Sequence, residues 1–346
     1  MNILVTGGAG FIGSHTVVAL VEAGFRPVII DDFSNSQPSA LEGLTSILGE
    51  KPTCYTQNCN DYAALCHILR TEQIGGVIHF AASKSVGESM HEPLKYYDNN
   101  LGSLITLVRA ARAEGVSNLI FSSSCTVYGE PASLPVTEET PVQPASSVYG
   151  NTKQIGEEIL RDVTAADPTL RAISLRYFNP IGAHPSASIG ELPLGVPSNL
   201  VPFITQTAAG MRPSLTVFGN DYPTPDGTCI RDYIHVMDLA EAHVAALQNL
   251  QAAGPAAANY QVFNVGTGQG NTVLELIEAF EEVSGQSLNY QIGPRRAGDI
   301  SAVYADATKV RTVLGWEAKR SLREALADAW RWQQGLPTSA AKPAGT

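Results

Sequence analysis

The 346-residue sequence predicts an α/β fold, a doubly wound parallel sheet joined to a smaller mixed α/β lobe, and three observations predict it. An apolar run at 2–6 passes straight through a glycine-rich loop into a helical stretch. Strand and helix signals then alternate through the first half of the chain. Past Pro180 the texture changes to Pro- and Gly-rich connections between shorter elements.

Taken in order, Asn2-Ile3-Leu4-Val5-Thr6 is a short apolar run of the kind that a strand buried on both faces requires. Gly7-Gly8-Ala9-Gly10-Phe11-Ile12-Gly13 follows at once and opens a helix over 15–22. A second strand at 27–30 ends in Asp31, and a third ends at Asn58. Strands at 76–82, 118–124 and 172–179 alternate with helices over 99–114 and 148–164, the order of a parallel sheet with crossover helices. After Pro180, Pro197-Ser198-Asn199-Leu200 precedes an apolar helical run, and 215–219 reads as a short strand. A helix over 236–250 and a strand at 261–265 are expected to return to the first unit, and helices over 272–284 and 322–334 complete the fold. The expected division is therefore a dinucleotide-binding unit at 1–180, with returning elements at 236–266, and a substrate unit at 181–334. The final 335–346 is rich in Pro, Ala, Gly and Ser and is expected to be a disordered tail.

Composition narrows the function. With 33 acidic against 22 basic residues the formal net charge is -11, which opposes non-specific binding to nucleic acid or an anionic membrane. No run approaches the roughly 18 uncharged apolar residues that a bilayer span needs, and the first residues read as a strand, so a cytosolic location is expected. Five cysteines, at 54, 59, 66, 125 and 229, form no C-x-x-C pair, and seven scattered histidines show no ligand spacing. Reduced thiols and no metal are the expectation.

The glycine loop carries the first chemical signal. Glycines between a strand and a helix let the backbone approach a pyrophosphate, which the helix N-terminus attracts. Such a run alone suits any tight turn, but here Asp31 closes the next strand, where a carboxylate bonds the ribose hydroxyls of a dinucleotide. With Asp31 and Asp32 and no arginine immediately after them, the cofactor expected is NAD rather than NADP. The strand ends Gly7, Asp31, Phe80-Ala81-Ala82, Ser122 to Ser124 and Tyr177-Phe178-Asn179 then describe one cleft.

Tyr149-Gly150-Asn151-Thr152-Lys153 supplies the second signal. Residues four apart share a helix face, so the Lys153 ammonium stands beside the Tyr149 phenol and is expected to favour its ionised form. Together with the Ser124 hydroxyl this is an acid/base set for chemistry at a carbinol carbon. By itself Y-x-x-x-K is a short pattern that also occurs on ordinary surface helices.

These motifs, with Arg176-Tyr177-Phe178-Asn179-Pro180, resemble the extended short-chain dehydrogenase/reductase family. Phe218-Gly219-Asn220-Asp221-Tyr222-Pro223-Thr224, Gly227-Thr228, Arg231-Asp232-Tyr233-Ile234-His235-Val236 and Arg295-Arg296-x-Gly298-Asp299 narrow the resemblance to its UDP-glucose (UDP-galactose) 4-epimerases, over 1 to about 333. The resemblance implies that NAD is held by Gly7, Gly10, Phe11, Ile12, Gly13, Asp31, Asp32, Phe33, Ser34, Asn35, Ser36, Asn58, Cys59, Phe80, Ala81, Ala82, Lys84, Asn99, Ser122, Tyr149, Lys153, Tyr177 and Phe178. It implies a UDP-sugar site of Lys84, Ser124, Tyr149, Phe178, Asn179, Asn199, Leu200, Thr216, Val217, Phe218, Arg231, Tyr233, Val273, Arg296, Asp299 and Val303, with Ser124, Tyr149 and Lys153 catalytic. Arg231 and Arg296 suit a diphosphate, and Asp299 suits a ribose hydroxyl. A homodimer through the helices at 99–114 and 148–164 is also implied.

The activity implied is reversible interconversion of UDP-glucose and UDP-galactose through a transient 4-keto sugar. Two positions depart from the family pattern: Asn58 stands where aspartate is common, and Val303 where either tyrosine or a small residue governs acceptance of N-acetylated sugars. Two rivals stay open. A nucleotide-sugar dehydratase or decarboxylase shares the scaffold, although dehydratases place an Asp-Glu pair just after the serine, where this chain has Cys125 and Thr126. A non-catalytic NAD-sensing protein keeps the fold but typically loses the tyrosine.

Overall fold

Strand β1 (Asn2–Thr6) lies inside a parallel seven-stranded sheet, since Ile3, Leu4 and Val5 are wholly buried and neither face can meet water. This computed structural model describes residues 1–252, 258–296 and 298–337. Of the tail expected to be disordered at 335–346, Gly335 ends the last helix, and the residues beyond 337 lie outside the described ones.

After β1 come α1 (Phe11–Glu22), β2 (Arg26–Ile30), α2 (Ser39–Leu48), β3 (Thr53–Tyr55), α3 (Tyr62–Thr71) and β4 (Ile74–His79). Two short helices, α4 (Val86–His91) and α5 (Pro93–Tyr96), lead through a π turn at Tyr97–Leu101 into α6 (Gly102–Ala113). Next are β5 (Asn118–Ser122), a 3-10 turn at Cys125–Tyr128, α7 (Val148–Ala166) and β6 (Arg171–Tyr177). The remainder runs β7 (Asn179–Ile181), α8 (Leu200–Ala208), β8 (Leu215–Phe218), β9 (Ile230–His235), α9 (Val236–Ala252), β10 (Tyr260–Val265) and β11 (Gly270–Thr272). It closes with α10 (Val273–Ser284), β12 (Tyr290–Gly293), β13 (Ala302–Val303), α11 (Thr308–Leu314) and α12 (Leu322–Gly335). Local signals set several of these ends: Thr272 with Glu275 and Ser321 with Glu324 form capping boxes at α10 and α12. Gly285 and Gly315, both left-handed, stop α10 and α11.

The main sheet has the order β10-β6-β5-β4-β1-β2-β3, so the winding reverses between β1 and β4 and opens a crevice beyond their carboxyl ends. One face of the sheet packs on α1 and α9 around Val17, Leu20, Leu239 and Leu247. The other packs on α3, α6 and α7 around Leu65, Leu104, Leu107 and Leu160. Strand β9 pairs with β7, β11 and β13, and β8 pairs with β12. These strands and α8, α10 and α12 enclose a separate core containing Ile204, Val217, Phe280 and Leu326.

Several expected elements differ in detail: the strand expected at 76–82 is Ile74–His79, the third strand ends at Tyr55 rather than Asn58, and the helix expected over 15–22 begins at Phe11. The strand expected at 172–179 divides at Phe178, because residues 179–181 pair with β9 rather than continuing beside β5. The strand expected at 118–124 stops at Ser122, since Ser124 turns its Oγ to cap the 3-10 turn by accepting from the Thr126 N–H. The helix expected over 99–114 opens as a π turn, in which the Asn100 side chain is spent on Ser83 backbone groups and the Thr152 hydroxyl.

Candidate active site

The glycine loop leaves β1 with no room for side chains. Gly7 has φ of +70°, and a Cβ on it would meet the Ala81 nitrogen at 2.9 Å, so β1 and the loop after β4 touch backbone to backbone. A Cβ on Gly13 would lie 2.2 Å from the Gly7 carbonyl oxygen. Gly10 caps α1 without a side chain, which leaves the first N–H groups of that helix pointing into the crevice with its positive dipole end.

Asp31 is buried at the end of β2. Its carboxylate accepts from Ala9 N at 3.0 Å, Phe33 N at 2.9 Å and Ser36 Oγ at 2.8 Å, tying the glycine loop to the loop after β2. Asp32 accepts from Ser34 and, at 2.8 Å, from Asn58 Nδ2, while Asn58 Oδ1 accepts the Asn60 N–H. The amide at 58 thus replaces what would be two facing carboxylates with a hydrogen bond.

One cleft is lined by Gly7, Gly10, Phe11, Ile12, Gly13, Asp31, Asp32, Ser34, Asn35, Ser36, Asn58, Cys59, Phe80, Ala81, Ala82, Lys84, Asn99, Ser122, Tyr149, Lys153 and Tyr177. Of the residues expected at the cofactor, Phe33 and Phe178 fall outside this lining; Phe33 holds a left-handed φ of 57° and Phe178 is buried beside Val303. Sequence reasoning missed Ile30, Gln57, Ser83 and Ser103 in the wall. Ser103 stands one turn after Asn99, and that spacing was a usable signal.

Helix α7 begins at Ser147, whose Oγ accepts from the Gly150 N–H, and this cap places Tyr149 in the first turn against the ends of β5 and β6. Lys153 Nζ donates to the Ser122 carbonyl at 2.6 Å and lies 5.7 Å from the Tyr149 ring and 5.0 Å from the Phe121 ring. Burial lowers its pKa to about 8, against the opposing pull of Glu157. Burial pushes the Tyr149 phenol well above its ordinary value, with nearby Tyr177 adding to the rise and a hydrogen bond from Ser124 opposing it. The pair is adjacent as expected, while burial works against the phenolate in the protein alone.

The residues expected around a UDP-sugar sit on the smaller sheet and its helices. Arg296 grips Asp299 through two nitrogens, Nε at 3.1 Å and Nη2 at 2.8 Å, and lies 5.8 Å from the Phe218 ring. Half-buried Arg231 reaches the same carboxylate at 3.9 Å, so Asp299 holds both guanidiniums together. Arg295 instead pairs with Asp221 and stacks on Tyr222. Phe218 is exposed on β8 beside Thr216 and buried Val217; Tyr233 on β9 pairs across to Asn179 on β7. Asn199 and Leu200 start α8, and Val273 starts α10 with its N–H on Thr228 Oγ1. Lys84 and Asn199 both bond to Glu191 Oε1, at 3.1 and 2.6 Å. Val303, opposite Arg231 on β13, is buried among Val127, Tyr128, Val136 and Phe178.

Among the described residues no group of three or more His, Cys, Asp or Glu is arranged to hold a metal ion, and no helix is long and apolar enough to cross a membrane. Residues 4–329 match the family model described as GDP-mannose 4,6 dehydratase. The chain is 50% identical over 337 residues to UDP-glucose 4-epimerase of Yersinia pestis, covering 97% of this chain and 98% of that one. Its fold is similar to UDP-glucose-4-epimerase from Stenotrophomonas maltophila, crystallised with NAD and formylated UDP-arabinopyranose (TM-score 0.93, 47% identity, 96% and 98% of the two chains). It is also similar to the Bifidobacterium longum enzyme in complex with NAD+ and UDP (TM-score 0.92, 45% identity, 96% and 98%).

Proposed function

The chain belongs to the UDP-glucose 4-epimerase family of extended short-chain dehydrogenase/reductases, and from that premise we propose that it interconverts UDP-glucose and UDP-galactose through a transient 4-keto sugar. The observation that carries this is the single cleft in which Tyr149 and Lys153 stand at the end of the same sheet as the Gly7 to Gly13 loop and Asp31.

The cleft fits NAD. Gly7 and Gly13 let the loop close backbone to backbone beside the cleft, the open N-terminus of α1 offers N–H donors, and the Asp31 carboxylate offers the acceptor that a dinucleotide with a free ribose requires. Bound there, NAD supplies a hydride acceptor and a positive ring that favours the phenolate. Tyr149 takes the proton of the sugar 4-hydroxyl, with Ser124 Oγ beside it to bridge the transfer. Lys153, fixed on the Ser122 carbonyl, stabilises the phenolate by its charge. Inversion needs the hexose to turn while the nucleotide stays in place. Arg231, Arg296 and Asp299 provide that anchor on the smaller lobe.

A dehydratase reading has the matched family description on its side. Against it, the residues after Ser124 are Cys125 and Thr126, and burial pushes the Cys125 thiol up to about 12, so neither offers a carboxylate for eliminating water. Incubation of the purified protein with UDP-galactose and no added NAD separates the readings. UDP-glucose is expected; a deoxy-keto product overturns the proposal in favour of dehydration, and bound NAD with no product favours a sensing role.

The proposal includes a homodimer through α6 and α7, supported by the family resemblance and by Ile105, exposed on α6; light scattering in solution checks it. It also includes a cytosolic location, supported by five cysteines that are all unpaired. It includes a side activity on UDP-GlcNAc and UDP-GalNAc, since valine at 303 is smaller than the tyrosine found there in other members, and the UDP-GalNAc to UDP-galactose rate ratio measures it.

A further inference from the structure

The functional stripe of α7 does not end at Lys153. Tyr149, Lys153 and Glu157 are spaced four apart on one face, and all three are buried. The Glu157 carboxylate accepts from Ser123 Oγ at 2.5 Å and from Arg176 Nε and Nη2 at 2.9 and 2.6 Å. Arg176, also buried, donates from Nη1 to the Tyr128 hydroxyl at 3.0 Å, and that hydroxyl donates to Asn264 at 2.6 Å. Three successive residues leaving β5 are thereby held. Ser122 is fixed by Lys153 on its carbonyl and by Tyr177 on its hydroxyl, Ser123 by Glu157, and Ser124 is left facing Tyr149. A buried ion pair adds little stability over apolar residues of the same shape, so its place directly behind the serine run calls for another account.

We propose that Glu157 is a positioning residue for the epimerase reaction: through Ser123 it sets Ser124 against Tyr149, and its carboxylate stands one helical turn from Lys153 on the same buried face. This rests on the epimerase reading above. The other titratable groups facing Lys153 are Tyr149 on its own helix and His79 on β4, lowered by burial to about 3; Tyr177 on β6, which shares Ser122 with Lys153, is pushed by burial up to about 12. None of these is charged at neutral pH. Arg176 on β6 and Tyr260 on β10 face Glu157. Among the described residues Glu157 is therefore the charge that opposes the desolvation of the lysine.

Glu157→Gln keeps the volume and still accepts from Ser123. In the holoenzyme kcat for UDP-galactose is expected to fall about tenfold or more with KM within about twofold, and the alkaline limb of kcat/KM to move about one pH unit lower. Since the single change leaves Arg176 buried and unpaired, Glu157→Gln with Arg176→Gln is measured beside it, and a smaller limb shift in the same direction is expected there. Glu157→Asp should restore part of the limb. Limbs that stay at the wild-type pH in both glutamine variants, with only a lowered Tm, overturn the proposal and leave Glu157 a purely structural role. Wild-type protein without epimerase activity overturns the underlying reading instead, and the two failures are distinct.

Discussion

Replacing Gly13 by alanine tests the cofactor cradle with a single methyl group. The added Cβ would lie 2.2 Å from the Gly7 carbonyl oxygen, 2.8 Å from Gly8 Cα and 3.0 Å from the Gly7 carbonyl carbon. All three are backbone atoms, so no side chain can swing away. Against an optimal separation of about 3.5 Å, α1 and the loop must part by roughly an ångström, for which overpacking costs about 1–3 kcal/mol. An unfolding entropy of about 2.1 cal/mol/K per residue over 346 residues makes that a Tm loss of about 1–4 °C. The larger effect falls on NAD, because the displaced atoms are those that approach the pyrophosphate. Dinucleotide extracted by acid from purified protein is expected to drop at least tenfold. Gly24→Ala is the control: Gly24 has φ of +81° with nothing within 4 Å of the added methyl, so it costs about 1–2 kcal/mol of backbone strain and leaves NAD content unchanged. A Gly13→Ala protein that carries a full complement of NAD refutes the cradle.

Tyr149→Phe is expected to lower kcat by about 10²–10⁴, with NAD content and UDP affinity nearly unchanged in steady-state and titration measurements; unchanged turnover removes the phenol as the base. Arg231→Ala should weaken UDP about ten- to hundredfold by calorimetry, since one charge-assisted hydrogen bond is worth about 1.5–3 kcal/mol. Burial depresses His15 and His79 to about 3 and His243 to about 4. The unfolded chain binds the extra protons, so the stability from keeping these rings neutral is complete above about 6.5 and is lost as pH falls towards those values. Each histidine contributes a slope of up to about 1.4 kcal/mol per pH unit. Tm should therefore fall steadily from pH 6.5 to 4.5, and a flat profile contradicts the neutral buried rings.

Local patterns made much of this protein legible. The strand-glycine-helix run at 2–22, the acid at the end of β2 and the Tyr149/Lys153 spacing depend on neighbours within a few residues, where strand burial, turn geometry and helix periodicity act. Helices α2 to α5 escaped notice. Helices α4 and α5, of 6 and 4 residues, are too short for a periodic signal, and α2 buries only Leu44; α3, with Leu65, Ile68 and Leu69 buried behind an Asp61 side-chain cap, carries a signal that sequence reasoning missed. Ser83 could be placed in the cleft only once the π turn had brought Asn100 against it.

The sequence by itself determined the order of strands and helices, the glycine loop and which residue types could do acid/base chemistry. Only the tertiary structure decided their states. Burial works against the Tyr149 phenolate; Glu157 meets Arg176 across two elements; Asp299 joins Arg231 to Arg296; and Val303 faces Phe178 rather than open space. Desolvation and pairing energies depend on what lies within a few ångströms, and for these groups that neighbourhood is assembled from distant parts of the chain.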